Sequence, residues 1–340
     1  MNTVHVACAA NAAYVLPLTT LLVSVVDQAD QQRDLHLHIV SNDASEQDRT
    51  RLRDSIELVR PGLAGVSIHW YPIDAAVLAR LPGQPGSYVT KETYARILLP
   101  AILPESCEQV LWLDCDMIVL HNVAELYDLA LGTDTAVHAV HDLAIPWVSH
   151  PRGIFDYAER GLAPDAHYFS AGTLVMNLRK WRELNIAGQL LDYLERYSEQ
   201  IRLADQGALN AILARDWTPV DLRWNQAPQI LFEPLTLAAG YSRQEWRTIR
   251  DHPYVVHYSG REKPWDLGRH SPRFSYYYQA LRKTVYRQTL HPRPHPEDFL
   301  GFPLYYQLWW WTRKLVPGAF QPDPEPPLLP SATALKALFL

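Results

Sequence analysis

The stretch Leu111-Trp-Leu-Asp-Cys-Asp-Met117 decides how the rest of this chain is read. It brings two carboxylates, Asp114 and Asp116, out at the end of the apolar run Val110-Leu-Trp-Leu113, and a second apolar run, Met117-Ile-Val-Leu120, follows at once. A carboxylate is seldom buried without a compensating charge, so an acid pair in this setting invites a cation or a proton to relieve the repulsion. Oxygen ligands of this kind suit magnesium or manganese, which keep room for waters and substrate phosphates. The same residues also permit a plainer reading, a strand end whose acids cap the next turn.

Outward from this stretch, apolar runs suited to buried strands recur with helical segments between them: Val4 to Ala10, Leu35 to Val40, Val66 to Tyr71, Val110 to Leu113 and Ala136 to Val140. That alternation predicts an α/β fold, a Rossmann-like, mainly parallel sheet with helices on both faces. The segment Leu81-Pro-Gly-Gln-Pro-Gly-Ser87 reads as a surface loop before a helix over Glu92 to Leu99. Further on, Gly172 to Leu178 reads as another strand and Ala204 to Leu213 as a short helix that Asp205 opens as its N-cap. No internal repeat is present.

A chain of 340 residues that is 48% hydrophobic and 20% charged has globular composition and room for a large core, which excludes a disordered protein. The three cysteines, Cys8, Cys107 and Cys115, follow no metal-ligand or redox spacing and lie in or beside apolar runs, so a reduced, cytoplasmic compartment is expected. The first 26 residues carry no Asp, Glu, Lys or Arg. A signal peptide or anchor is not expected there, because no basic region precedes the apolar stretch, and Asn11, Tyr14, Pro17, Thr19 and Thr20 interrupt it short of the roughly 20 apolar residues of a membrane span.

Charge is uneven along the chain. Residues 1–260 hold 20 basic and 31 acidic side chains, whereas residues 261–314 hold 10 basic and 4 acidic ones. The basic end includes Phe302-Pro-Leu-Tyr-Tyr-Gln-Leu-Trp-Trp-Trp-Thr-Arg-Lys314, and 10 of the 26 prolines fall from His291 onward. Residues 1–290 are therefore expected to form the folded domain and residues 291–340 a Pro-rich, aromatic and basic extension, partly disordered, that meets an anionic membrane surface. Packing on the folded domain is the competing role, since Leu304, Leu308, Trp311 and Leu315 would share one helix face.

Five separated segments carry the chemistry, in this order: Tyr94-Ala-Arg96; Leu113-Asp-Cys-Asp116; Tyr168-Phe-Ser-Ala-Gly172 with Asn177-Leu-Arg-Lys-Trp181; Asp205-Gln206 with Leu209-Asn210; and His257-Tyr-Ser-Gly-Arg-Glu-Lys-Pro-Trp265. Taken together over residues 4–266 they resemble the metal-dependent retaining glycosyltransferases of family 8, especially the bacterial lipopolysaccharide galactosyl- and glucosyltransferases. The resemblance implies a GT-A fold and transfer of a hexosyl group from a UDP-sugar to a hydroxyl of a glycan or glycolipid. It implies no nucleic-acid partner and a location on the cytoplasmic face of the membrane.

Residue by residue, the resemblance implies that Asp114, Asp116 and His257 hold Mn2+ or Mg2+, the histidine tilting the set towards manganese. Lys263 would meet the diphosphate as a point charge, and Gly260 would let the backbone approach it. Asn11, Tyr14, Arg96, Cys115 and Ser170 would complete the donor site. Asp142, Asp205 and Gln206 would line the donor and acceptor sugar pocket, with Asp205 and Gln206 the catalytic pair. Same-face attack and double displacement are both open.

Departures from the family pattern accompany the matches. Asn11 and Ala13 stand where an Asp and an Asn usually contact the uridine, although Tyr14 and Ser24 keep the register; Ser170 replaces an Asn, and Gly207 replaces an acid. They motivate one rival, a non-catalytic nucleotide-sugar or carbohydrate-binding relative. A second rival is a phosphatase of haloacid dehalogenase type, built on Leu113-Asp-Cys-Asp-Met117, but 113 residues precede Asp114 and Met117-Ile118 replace the Gly and Thr or Val of that loop.

Overall fold

The computed structural model describes residues 3–74, 77, 81, 91–231, 236, 240–260, 263–266 and 273–288. The C-terminal extension over residues 291–340 lies outside them.

Alternating apolar and small residues start the chain as strand β1 (Thr3–Ala9), and the uncharged segment after it folds as helix α1 (Val15–Gln28), buried along most of its length. Strand β2 (Asp34–Val40) follows, then α2 (Glu46–Val59), whose start is fixed by a capping box between Ser45 and Asp48. Next come β3 (Val66–Tyr71), a 3-10 turn over Lys91–Tyr94 and α3 (Ala95–Ile102). The helix expected from Glu92 thus begins three residues later, because the first turn is wound tighter.

Strand β4 (Gln109–Leu113) runs into the acid pair and β5 (Met117–Val119) leaves it. Helix α4 (Val123–Leu129), β6 (Val137–His141), β7 (Phe169–Asn177), α5 (Leu178–Glu183), α6 (Ile186–Tyr197), α7 (Ala204–Leu213) and β8 (Trp217–Val220) complete the larger sheet. Helix α8 (Arg243–Asp251), β9 (Val255–His257) and α9 (Phe274–Leu281) close the described fold.

The seven-stranded sheet has the order β3-β2-β1-β4-β7-β6-β8, with β7 antiparallel to both neighbours and the other strands parallel. Alternate residues of β1 face opposite layers: Val4, Val6 and Cys8 pack towards α1 and α2, whereas Ala7 and Ala9 pack with α3 and Trp112. Chain order reverses between β1 and β4, so a crevice opens beyond their carboxyl ends, where ligands bind in open α/β sheets. A two-stranded ribbon of β5 and β9 sets Met117 opposite His257, which carries His257 to the acid pair across 140 residues of chain. Ile118, Val256 and Tyr258 anchor that ribbon on Phe274 and Tyr277 of the α9 layer. Among the described residues no helix is long and apolar enough to cross a membrane.

Candidate active site

The end of β1 and the end of β4 lie side by side, through the pairs Val6 with Leu111 and Ala7 with Trp112. The loops that follow, with Asn11 and Tyr14 on one and Asp114, Cys115 and Asp116 on the other, therefore open on one cleft of about 350 Å³. The same cleft is lined by Arg96, Asp142, Ser170, Asp205, Gln206, His257, Gly260 and Lys263. Every site residue named from the sequence is thus brought to one place.

The acid pair is held asymmetrically. Asp114 Oδ1 accepts hydrogen bonds from Arg96 Nη2 at 2.8 Å and Trp112 Nε1 at 2.9 Å, and Asp116 Oδ2 accepts from Lys263 Nζ at 2.6 Å. The other oxygen of each acid faces one imidazole nitrogen: His257 Nε2 lies 3.2 Å from Asp116 Oδ1 and 3.9 Å from Asp114 Oδ2. On the far side of that ring, Nδ1 is 2.9 Å from Asn225 Oδ1. An amide oxygen only accepts, so Nδ1 carries a proton, and Nε2 is the nitrogen turned to the acids. One ligand atom from each of Asp114, Asp116 and His257 falls within 4.8 Å of the other two, and the donor set of two carboxylates and a neutral imidazole fits a divalent cation.

Glycine makes room for this ring. A Cβ on Gly172 would come within 2.7 Å of Met117 Cε and 2.8 Å of His257 Cε1, so a larger residue there would displace the imidazole. Gly260, at φ +93°, holds a backbone conformation that L side chains rarely adopt, just before Lys263 returns to the site. Burial alone would raise the Asp116 carboxyl, but Lys263 and then His257 outweigh it and hold that acid well below the usual carboxylate range. Burial would likewise lower Lys263, and Asp116 reverses the effect and raises it. The Cys115 thiol between the two acids is pushed well up by burial and by Asp116 and Asp114, so it stays protonated and is no nucleophile.

Arg96 ties the acid pair to Asp205. Its Nε sits 2.9 Å from Asp205 Oδ2, its Nη2 reaches Thr93 Oγ1 at 3.1 Å as well as Asp114, and its Nη1 donates to the Ala171 carbonyl. The guanidinium also lies over the Trp112 ring, 4.8 Å from its centroid. Arg96 is therefore a buried bridge between two acids rather than a partner of a surface acid.

Asp205 does not cap its helix. The residue at the cap is Leu203, and the Asp205 carboxylate accepts from Thr93 Oγ1 at 3.0 Å and pairs with Arg96. Capture by a buried guanidinium outweighs a single cap bond. Burial raises the Asp205 carboxyl even so, with Arg96 opposing. Gln206 is fixed at both ends of its amide, accepting from Ala171 N and donating to Asp142 Oδ2, each at 3.0 Å. Asp142, raised by burial, uses its other oxygen to accept from the backbone of Ala144 and Ile145.

Sequence reasoning missed Thr93, Trp112, Asn225, Arg152 and Arg202, all at this cleft. Thr93 was findable, since it stands one helical turn before Arg96. Asn225 carried no local signal, because it meets His257 only after 32 residues of intervening chain. The departures from the family pattern also have local reasons. Ser170 Oγ accepts from Asn225 Nδ2 at 2.9 Å, and at Gly207 any Cβ would come within 2.9 Å of Ile201. Ser24 serves the fold, tying α1 to β5 by accepting from Val119 N. Asn11 Oδ1 is buried with no hydrogen-bond partner among the described residues, at the mouth where a ligand would meet it.

Residues 5–267 match the family model described as glycosyl transferase family 8. The chain belongs to glycosyltransferase family 8. This glycosyltransferase is 26% identical to general stress protein A of Bacillus subtilis over 85% of its own chain and 96% of that protein. It is also 26% identical to probable galacturonosyltransferase-like 2 of Arabidopsis thaliana over 79% of each. Its fold is that of the galactosyltransferase LgtC, solved with donor and acceptor sugar analogues: TM-score 0.67 and 23% identity, covering 86% of this chain and 99% of LgtC. The GT-A fold and the family together set aside a haloacid dehalogenase phosphatase. Asp114, the nucleophile that reading needs, has one oxygen committed to Arg96 and Trp112.

Proposed function

We propose that this glycosyltransferase moves galactose or glucose from a UDP-sugar to a hydroxyl of a glycan or glycolipid such as lipopolysaccharide, with retention of configuration. Asp114, Asp116 and His257 would hold manganese or magnesium. The observation that carries the reading is the convergence of one oxygen from each of Asp114 and Asp116 on Nε2 of a histidine whose ring Asn225 orients. A divalent cation bound there neutralises charge on the diphosphate leaving group.

The chain's own groups do the rest. Lys263 exchanges part of its hold on Asp116 for the diphosphate and adds a second positive charge where the leaving group gains negative charge. Asn11 offers its unpartnered amide oxygen to an N–H of the base, and the partly open Tyr14 ring, seated edge-on against Trp265 at 5.6 Å, gives the base a face to lie on. Asp142, Gln206 and Asp205, cross-tied to one another's neighbours, orient sugar hydroxyls. Asp205 Oδ1 accepts from Thr93, Oδ2 lies 2.9 Å from Arg96 Nε as an ion pair without a hydrogen bond among the described residues, and both ends of the Gln206 amide are engaged. Gln206 is thus committed at both ends and Asp205 is held by the charge of Arg96, which supports same-face attack, with the acceptor hydroxyl proton passing to the departing phosphate oxygen. In this reading residues 1–290 carry the transferase, and residues 291–340 bring it to an anionic membrane surface on the cytoplasmic side, where a lipid-linked acceptor is met.

Screening nucleotide sugars for manganese-dependent hydrolysis and transfer tests the reading. Asp116→Ala should lower turnover at least about a hundredfold, the scale of losing a principal electrostatic stabiliser. Turnover that neither manganese removal nor Asp116→Ala affects, or no turnover with any nucleotide sugar, would sink it in favour of a non-catalytic binding protein.

A further inference from the structure

We propose that His5, His36 and His38 form a second metal site, separate from the catalytic cleft and suited to a borderline divalent cation of the zinc class. The three rings come from adjacent parallel strands. His5 on β1 is in register with His36 on β2, and His38, two residues on, shares the face of His36. One nitrogen from each ring lies within 4.8 Å of the other two. His5 Nδ1 and His38 Nε2 are 3.0 Å apart, near the roughly 3.3 Å that two nitrogens keep on a tetrahedral zinc with bonds of 2.0–2.1 Å.

The surroundings favour ligands over charged side chains. His38 Nδ1 is 3.1 Å from the Tyr71 hydroxyl. When that nitrogen carries the proton and donates it to the tyrosine oxygen, Nε2 turns its lone pair on His5, the arrangement by which a neighbouring group orients a metal-bound imidazole. The His36 ring makes no hydrogen bond among the described residues and lies 5.1 Å from the His5 ring. His69, stacked on His38 with centroids 5.2 Å apart, has a buried Nε2 without a partner.

The chemistry separates this cluster from the cleft. Neutral imidazoles prefer zinc, nickel or copper, whereas the carboxylate-rich set at Asp114 and Asp116 suits manganese or magnesium. His5, His36 and His38 lie on β1 and β2, short of the strand ends that open on the cleft, and do not line it. Two metals of different class would then be held by one chain.

The test uses the full chain purified without a histidine tag, dialysed against Zn2+ in excess Mg2+, with metal counted by mass spectrometry. About one zinc per chain is expected in the wild type and in His257→Gln, and its loss in His5→Gln and His36→Gln. Wild-type protein loaded with one equivalent of Cu2+ gives a readout free of folding effects, because its paramagnetic resonance spectrum should carry splitting from more than one imidazole nitrogen. The ligand set at Asp114, Asp116 and His257 offers a single imidazole. No zinc in the wild type, zinc unchanged in the His5 and His36 variants, zinc lost only in His257→Gln, or copper splitting from one nitrogen alone would each overturn the proposal.

Discussion

Replacing Arg96 with methionine isolates what the buried bridge contributes. Methionine keeps an apolar stem against Trp112 but leaves Asp114 and Asp205 without their guanidinium. The Arg96 side chain is 4% exposed and that of Asp205 6%, so little solvent is available to take over. Removing one partner from such a buried pair costs about 3–5 kcal/mol at neutral pH.

The deficit must depend on pH, with a definite sign. The Asp205 carboxyl is already raised by burial, and Arg96 is the main influence opposing that rise. Without Arg96 it rises further, and the folded protein then holds a proton that the unfolded chain has released. Stability therefore falls as pH rises from the unfolded carboxyl value of about 3.9 through the raised folded value. The variant should be further from wild type near neutrality than at about pH 5, because protonation of Asp205 on acidification removes the need for a counter-charge. Urea unfolding at both pH values in the presence of a chelator measures this, and Asp205→Asn in the Arg96→Met background should recover a substantial part of the loss at neutral pH. An equal deficit at both pH values with no recovery from Asp205→Asn would refute the bridge and reduce Arg96 to packing.

Three further outcomes follow from the site. Asn225→Leu, which removes the acceptor that orients His257 Nδ1, should weaken manganese binding in calorimetry by about 10–100-fold with the fold intact, and unchanged affinity would contradict the tautomer assignment. In competition among UDP, CDP, GDP and ADP, UDP should bind best through Asn11 and Tyr14, and a clear preference for a purine nucleotide would overturn that reading. Liposome co-sedimentation of the full chain and a version ending at residue 296 should show anionic-lipid binding that the shorter chain loses; indistinguishable binding by both would remove the membrane role of residues 291–340.

Periodicity and motif order made the outline legible. The strands at Val4, Leu35, Val66 and Val110 appear where apolar runs predict them, because strands inside a covered sheet are rich in apolar residues; β3, at the edge, is only partly buried. Helix α7 likewise keeps the limits read from its sequence. The antiparallel sense of β7 was not legible, since a buried strand reads the same in either direction. The short ribbon of β5 and β9 was missed too, its three-residue strands being too brief to show a period.

The sequence by itself singled out the side chains proposed to carry the chemistry: the acids at 114 and 116, the histidine at 257, the lysine at 263 and the arginine at 96. Residue type and spacing are local properties, and they limit which cations and phosphates each segment can meet. Only the tertiary structure decided how those groups are used. Arg96 and Trp112 claim one oxygen of Asp114 and Lys263 claims one of Asp116, leaving the other two turned towards His257. Asp205 faces a buried guanidinium instead of its own helix end. A hydrogen bond is a relation between two places in space, and these partners lie from 2 to 147 residues apart along the chain, so the pairing exists only once the sheet has brought the strand ends together.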